Sequence, residues 1–377
     1  MNAKQLLILF GFCSIFLIAL LMRPNLTGGD TYYFVNYIWG ITDTLPHETA
    51  LSVWIMDIIP ANFVAIKLIM CVLTFLSCLA ISLSGELLDK KYGWLAGIIL
   101  LCTIFFTTIF INFENDLFAF VFIAWSIYLA IKFRVTGESA FLILSIIAII
   151  IAGLIWNYAV YFLIPLVYLC KFDWRYLIFS VAVIGYHFNK FILGITPCLH
   201  YQETMPFISL LAIIFFIVCY TKEFRDKDFF PIILYLTATA ILNLKQVYVL
   251  MPFLAIALAL AVKKMDRVLR IFTILSFLVV LGIVTLTITT MYPNNSVDEL
   301  FSIAQAIKIN EYPEKELNPY WDFGYYWAFF VKDSNLTFAH RKDTPKTGIV
   351  ITRSWDNTLN ELCIKRFENK AGKVYVC

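Results

Sequence analysis

Apolar runs separated by short polar breaks dominate the first three quarters of the chain, and the pattern changes near residue 293. A helix needs about 20 apolar residues to cross hydrocarbon, and somewhat fewer where an end is buried in protein. Eleven runs qualify, at roughly 5–22, 61–84, 94–112, 117–133, 140–155, 158–170, 176–195, 206–220, 229–244, 248–262 and 271–292. The fifth and sixth are split only by Trp156 and Asn157. Beyond them, GIVITR and KVYV read as strands and 297–309 as an amphipathic helix. The predicted architecture is an all-α polytopic membrane domain of about 11 transmembrane helices over 1–292, followed by a small α/β C-terminal domain over 293–377.

Charge orients this arrangement. With the N-terminus cytoplasmic, the inner segments carry fourteen basic residues, among them Lys90, Lys132, Arg134, Lys171, Arg175, Lys263 and Arg270. The outer loops before the tail carry three, Arg23, Lys190 and Lys245, a bias that satisfies the positive-inside rule. Eleven crossings then put the C-terminal domain outside the cell membrane. The first run has no small-residue cleavage site before Arg23-Pro24, so it is expected to be retained.

Composition agrees: 61% of residues are hydrophobic and 15% charged, which excludes an ordinary soluble enzyme and a disordered chain. A net charge of +3 gives no basic field for nucleic acid. The last 85 residues hold 22 of the 55 charged side chains, which marks the tail as solvated. Six of nine cysteines fall in apolar helices, where they behave as small hydrophobes. Cys198, Cys363 and Cys377 face outward, and a Cys363–Cys377 bridge is one option that spacing alone does not decide.

The outer loops are acidic. They carry Asp30, Asp43, Glu48, Asp57, Glu114, Asp116 and Glu203, seven acids against three bases. Crowded carboxylates are costly unless a cation sits among them, and hard oxygen ligands suit Mg²⁺ or Mn²⁺. The competing reading is of solvated loop acids that cap helix starts, which Asp116 fits as an N-terminal dipole partner. Glu114 and Asp116 can share an ion only if the turn that carries them is not helical.

Four motifs in order along the chain resemble the GT-C glycosyltransferases, in particular the catalytic subunit of oligosaccharyltransferase. They are Asp30 in GGDTYYF, Glu114-Asn115-Asp116 after the third run, Glu203-Thr204-Met205-Pro206, and Trp321-Asp322-Phe323-Gly324-Tyr325 in the tail, which resembles the WWDYG motif. The resemblance covers about residues 1–330 and departs in having about two fewer helices and a much smaller soluble domain. It implies an inverting, metal-dependent transfer of a glycan from a polyprenyl phosphate or diphosphate to an acceptor protein or glycan at the outer membrane face. It implies that Asp30, Asp116 and Glu203 are catalytic metal ligands with Glu114 as an alternate, that Asp30 also meets the acceptor, and that Trp321 and Asp322 bind a sequon hydroxyl.

The donor phosphate needs a cation. Lys245 in NLKQVYVLMP is the first candidate, where a snorkelling lysine is the alternative, and Lys190 with His187 is the second. Lys67 is expected to snorkel or to pair with an acid such as Asp57. Tyr32, Tyr33, Tyr37 and Trp39 read as a membrane-interface belt or a sugar platform. The sequons at Asn25, Asn294 and Asn335 all fall outside. Two rival functions remain: a GT-C enzyme moving one monosaccharide to a lipid, glycan or protein hydroxyl, and a transporter that binds polyprenyl phosphate without chemistry. No inverted repeat supports the transporter.

Overall fold

In a computed structural model of the chain, the described residues are 1–22, 26, 29–40, 50–103, 110, 113–186, 232–233, 235, 246–263, 265–268, 270–271, 279, 316–319, 337–338, 349–352, 363–368 and 373–376. They form α1 (Ala3–Met22), α2 (Gly29–Ile38), α3 (Ala50–Asp57), α4 (Phe63–Leu88), α5 (Ala96–Leu101), α6 (Asn115–Thr136), α7 (Ser139–Ile155), α8 (Leu163–Leu169), α9 (Trp174–Tyr186) and α10 (Gln246–Ala261). Short 3-10 turns at Gly93–Leu95 and Asn157–Phe162 precede α5 and α8.

Among the described residues, α1, α4 and α6 are long and apolar enough to cross a membrane. Four shorter apolar helices match the predicted runs near 140, 158, 176 and 248. The break at Trp156 is present: its backbone is extended, with φ −139° and ψ 111°, which ends α7 before the 3-10 turn begins. The third run differs from expectation. Its helix stops at Leu101, where the Cys102 N–H turns back onto the Ile98 and Ile99 carbonyls and the Thr103 hydroxyl donates to Leu100 O at 2.8 Å. Runs 206–220, most of 229–244 and most of 271–292, with the amphipathic segment 297–309, lie outside the described residues.

Small residues bring the helices together, as is usual where lipid offers no hydrophobic drive for association. A Cβ on Gly85 would lie 2.1 Å from the Gly93 carbonyl oxygen, and one on Gly97 would lie 2.2 Å from that of Cys78, so only glycine permits this approach of α4 to the turn and to α5. Between α6 and α7, Ser126 and Ser145 exchange hydrogen bonds to each other's carbonyls at 3.0 and 2.9 Å. Buried polar contacts of this kind contribute about 0.6 kcal/mol each within a bilayer. Two of the long helices have an end set by a residue that suits it. The Asn62 side chain caps α4 by accepting from the Val64 and Ala65 N–H groups at 2.8 and 3.1 Å. Gly137, at φ +77°, closes α6 in the left-handed conformation.

The C-terminal strands are β1 (Glu316–Pro319), β2 (Thr337–Phe338), β3 (Ile349–Thr352), β4 (Ile364–Glu368) and β5 (Lys373–Val376), in the order β2-β1-β3-β5-β4. GIVITR and KVYV thus form β3 and β5, paired antiparallel from Ile349↔Val376 to Thr352↔Lys373. Pairing to β1 is parallel, so the sheet is mixed. Cys363, just before β4, is disulfide-bonded.

Candidate functional site

Contacts between distant residues define two ends of the helical bundle. The Met1 ammonium pairs with Glu86 near the end of α4, so α1 and α4 run antiparallel. At the other end, Phe113 N–H donates to Thr31 Oγ1 at 3.0 Å, tying α2 to the start of α6. Asn115 Nδ2 reaches Ile155 O at 3.4 Å, which returns the end of α7 to the same place. With its 22 residues α6 is about 33 Å long at 1.5 Å per residue, so Asp116 and Arg134 belong to opposite ends.

The end with Thr31 carries the acids predicted from sequence. Asp30, described by its backbone, is the second residue of α2 and immediately precedes Thr31. Glu114 immediately follows Phe113. The single Thr31–Phe113 hydrogen bond therefore brings the first-loop aspartate and the Glu114-Asn115-Asp116 motif to one locus, although 82 residues separate the bonded pair. Phe113 itself is fully buried and stacks edge-on against Phe118 at 5.7 Å, which fixes the backbone between them.

The acidic pair divides its conformations. Glu114 is extended (φ −140°, ψ 166°) and stands at the cap position of α6 without its side chain accepting a capping hydrogen bond. Asp116 lies in the first turn, where its charge complements the helix dipole, and its Oδ1 accepts from the Leu117 N–H at 2.8 Å. The turn is thus helical from Asn115 onward, and the non-helical geometry expected for a shared ion holds at Glu114 alone. Both carboxylates are half-buried hard-oxygen donors, a chemistry that fits Mg²⁺ or Mn²⁺. Among the described residues no group of three or more metal-ligating side chains is assembled.

Two neighbouring groups correct the sequence reading. Lys67 does not snorkel: it lies on the inward face of α4 with Ile66 and Met70 and is 5% exposed. The Asp57 carboxylate accepts from the Tyr37 hydroxyl at 2.6 Å. That hydrogen bond holds the Tyr37 phenol above its ordinary pKa. Tyr32 is fully buried, so this member of the aromatic cluster packs in the core rather than in an interface belt. Trp39 stacks on Phe63 at 5.1 Å, joining α2 to the start of α4.

Glu203, His187, Lys190, Lys245, Trp321 and Asp322 lie outside the described residues. Sequence reasoning passed over Thr31 and Asn115, the two side chains that assemble the acidic end. The available signal was their position, one directly after Asp30 and the other between the two acids of the second motif.

No protein-family profile matches the chain, and no curated protein matches it. A solved structure does. Its class is that of the GT-C membrane glycosyltransferases, whose fold this chain shares along its whole length. The particular neighbour is ArnT from Cupriavidus metallidurans, solved bound to undecaprenyl phosphate, with a TM-score of 0.60 and 11% sequence identity, covering 100% of this chain and 98% of that one.

Proposed function

We propose that the chain is an integral-membrane GT-C glycosyltransferase that takes a sugar from a polyprenyl-phosphate donor and delivers it to an acceptor at the acidic end of the bundle. The observation that carries this reading is the whole-length likeness to a fold neighbour solved with a polyprenyl phosphate. The convergence of the Asp30 and Glu114–Asp116 segments at one end supports it independently. The catalytic region is 1–292, and 293–377 forms an outer domain, in keeping with the Cys363 disulfide and the oxidising compartment such bonds need.

Transfer requires that charge on the departing phosphate be neutralised and that the acceptor be oriented and lose a proton. Asp30 is assigned to orient the acceptor and to take up its proton. Asp116 and Glu203, with Glu114 and Asp30, would hold a divalent cation, which when bound supplies Lewis-acid stabilisation of phosphate charge. Lys245, immediately before α10, is the first choice for the lipid phosphate, with Lys190 and His187 second. Trp321 and Asp322 would contact a peptide acceptor.

The nature of the acceptor separates two forms of this proposal. An oligosaccharyltransferase-like enzyme would glycosylate an Asn-x-Thr peptide, as the Glu203–Pro206 and WDFG motifs suggest. A monosaccharide transferase acting on a lipid or glycan is favoured by a neighbour of nearly equal extent solved with a monophosphate lipid. The deciding assay gives purified protein native lipid-linked sugars and an Asn-x-Thr peptide, with Mn²⁺ or with chelator. Metal-dependent glycopeptide supports the first form, and donor consumed without glycopeptide the second. Donor bound but left intact under every acceptor condition would reject transfer altogether. Lys245→Ala should raise the donor concentration needed for half-maximal rate, and an unchanged dependence removes it from the site.

A further inference from the structure

A sugar held at the acidic end needs an apolar surface as well as charge. The C–H groups on one face of a pyranose are weakly positive, and they pack on the negative face of an aromatic ring. In α2 three aromatics are already engaged. Tyr32 is fully buried, the Tyr37 hydroxyl donates to Asp57, and Trp39 stacks on Phe63. A second aromatic group stands at the same end of the bundle, where α7 gives way to the 3-10 turn Asn157–Phe162. Asn115 Nδ2 donates to the Ile155 carbonyl at 3.4 Å, so the peptide group joining Ile155 to Trp156 touches the Glu114-Asn115-Asp116 motif directly.

The rings at this junction are stacked in depth. Trp156 meets Tyr158 with centroids 5.7 Å apart and planes tilted by 60°, and Tyr158 meets Tyr161 at 5.5 Å and 47°. Tyr161 is 3% exposed, and the adjoining Phe162 lies edge-on to Phe120 of α6 at 6.3 Å. Buried rings therefore root the outer pair to the same helix that begins at the acids. Aromatics that anchor a protein in the headgroup region project outward, as Trp54 and Trp174 do at 59% and 67% exposed. Trp156 and Tyr158 are instead half-buried and held against each other. The Trp94 indole N–H reaches the Lys91 carbonyl at 3.1 Å, whereas that of Trp156 donates no hydrogen bond among the described residues. A half-buried indole of this kind offers a flat apolar face and one donor, the pair of features that a sugar ring with its hydroxyls requires.

We propose that Trp156 and Tyr158 form the sugar-binding shelf of the acidic end. One face of the pyranose carried by the lipid donor packs on this ring pair, a sugar hydroxyl accepts from the Trp156 indole N–H, and the neighbouring acids act at the anomeric end. The shelf rests on the transferase reading and adds to it the subsite for the transferred sugar. It recognises the sugar and not the lipid phosphate, so it separates the loaded donor from the spent carrier.

The test measures transfer by purified full-length protein from native lipid-linked sugars, with the sugar-free lipid phosphate prepared from the same pool as competitor. In Trp156→Leu the donor concentration for half-maximal rate should rise about fivefold or more, while inhibition by the sugar-free lipid should change by less than about twofold, as expected when one stacked ring is lost. Trp156→Phe keeps an aromatic face and should recover most of the affinity. Should Trp156→Leu fail to fold, Tyr158→Leu should give the same split between the two lipids. Equal weakening of loaded and sugar-free lipid would mark the pair as membrane anchors and overturn the shelf. So would an unchanged donor dependence in both Leu variants of a protein whose native form transfers sugar. A native protein that transfers no sugar from this pool would reject the transferase reading, and the shelf with it.

Discussion

The two ends of the bundle are joined by different kinds of interaction. At the basic end, charged groups link distant elements. Lys263 Nζ reaches Asp89 Oδ2 at 2.8 Å, and the Met1 ammonium meets Glu86. Arg270 donates to Tyr92 Oη and Met265 O at 2.8 Å and lies over the Tyr92 ring at 4.9 Å. At the acidic end, the neutral side chains Thr31 and Asn115 bond to the backbone of Phe113 and Ile155, and the Asp57 carboxylate accepts from the Tyr37 hydroxyl between α3 and α2. On the proposed function, the acidic end is the one that carries the chemistry.

The largest effect should come from the acids themselves. Asp116→Ala and Asp30→Ala are each expected to lower the transfer rate by about 10²–10³-fold, the usual loss when one preorganised electrostatic contact to the reacting centre is removed. The amount of inserted protein and its melting temperature should change little. A transfer assay paired with a melting curve checks both halves. Full activity in both variants would break the comparison by moving the chemistry elsewhere.

Thr31→Val should have the next largest effect. It keeps the shape of the side chain but leaves the N–H of Phe113, a fully buried residue, without its acceptor, at a cost of about 1–3 kcal/mol. Because this bond joins the Asp30 segment to Glu114, activity should fall further than the stability loss explains. Thr31→Ser should restore both. If Thr31→Val lowers the melting temperature and leaves the specific activity intact, the bond is structural only.

Much of this organisation was legible in the amino-acid order. Apolar runs marked α1, α4 and α6, the Trp156-Asn157 break separated α7 from α8, and alternation located β3 and β5. The features that escaped were set by contacts between residues far apart in the chain or by the local path of the backbone. Hydropathy does not show that α5 ends at Leu101, because that end is made by the Cys102 N–H turning back onto the Ile98 and Ile99 carbonyls. Nor does it show which face of α4 carries Lys67, since a run apolar on all sides has little periodicity to orient it. The acids were readable as candidates from their type and excess. Their meeting point was not, because it depends on a threonine hydroxyl that finds a backbone amide 82 residues away.

The smallest effect is expected at the basic end, and it depends on pH. Burial pushes the Asp89 carboxyl upward, but the Lys263 ammonium and the Tyr92 and Lys91 backbone N–H groups outweigh it, so its pKa in the folded chain is lowered. A lowered folded-state pKa contributes stability that is fully present above the unfolded value of about 3.9 and is lost as pH falls through the folded value. Lys263 is 64% exposed, so solvent screens the pair and its contribution should be no more than about 1 kcal/mol. Asp89→Asn should therefore melt slightly earlier than the native chain at pH 7. The gap should close as pH falls below about 4, where the native carboxylate takes up its proton. Melting curves of the two proteins across pH 3–7 read this directly. Since the amide oxygen of Asn can still accept from the Lys91 and Tyr92 N–H groups, which lie 2.9 and 3.0 Å from Oδ1 of Asp89, a gap that persists at the acid limit would mean that the effect does not come from the Asp89 charge.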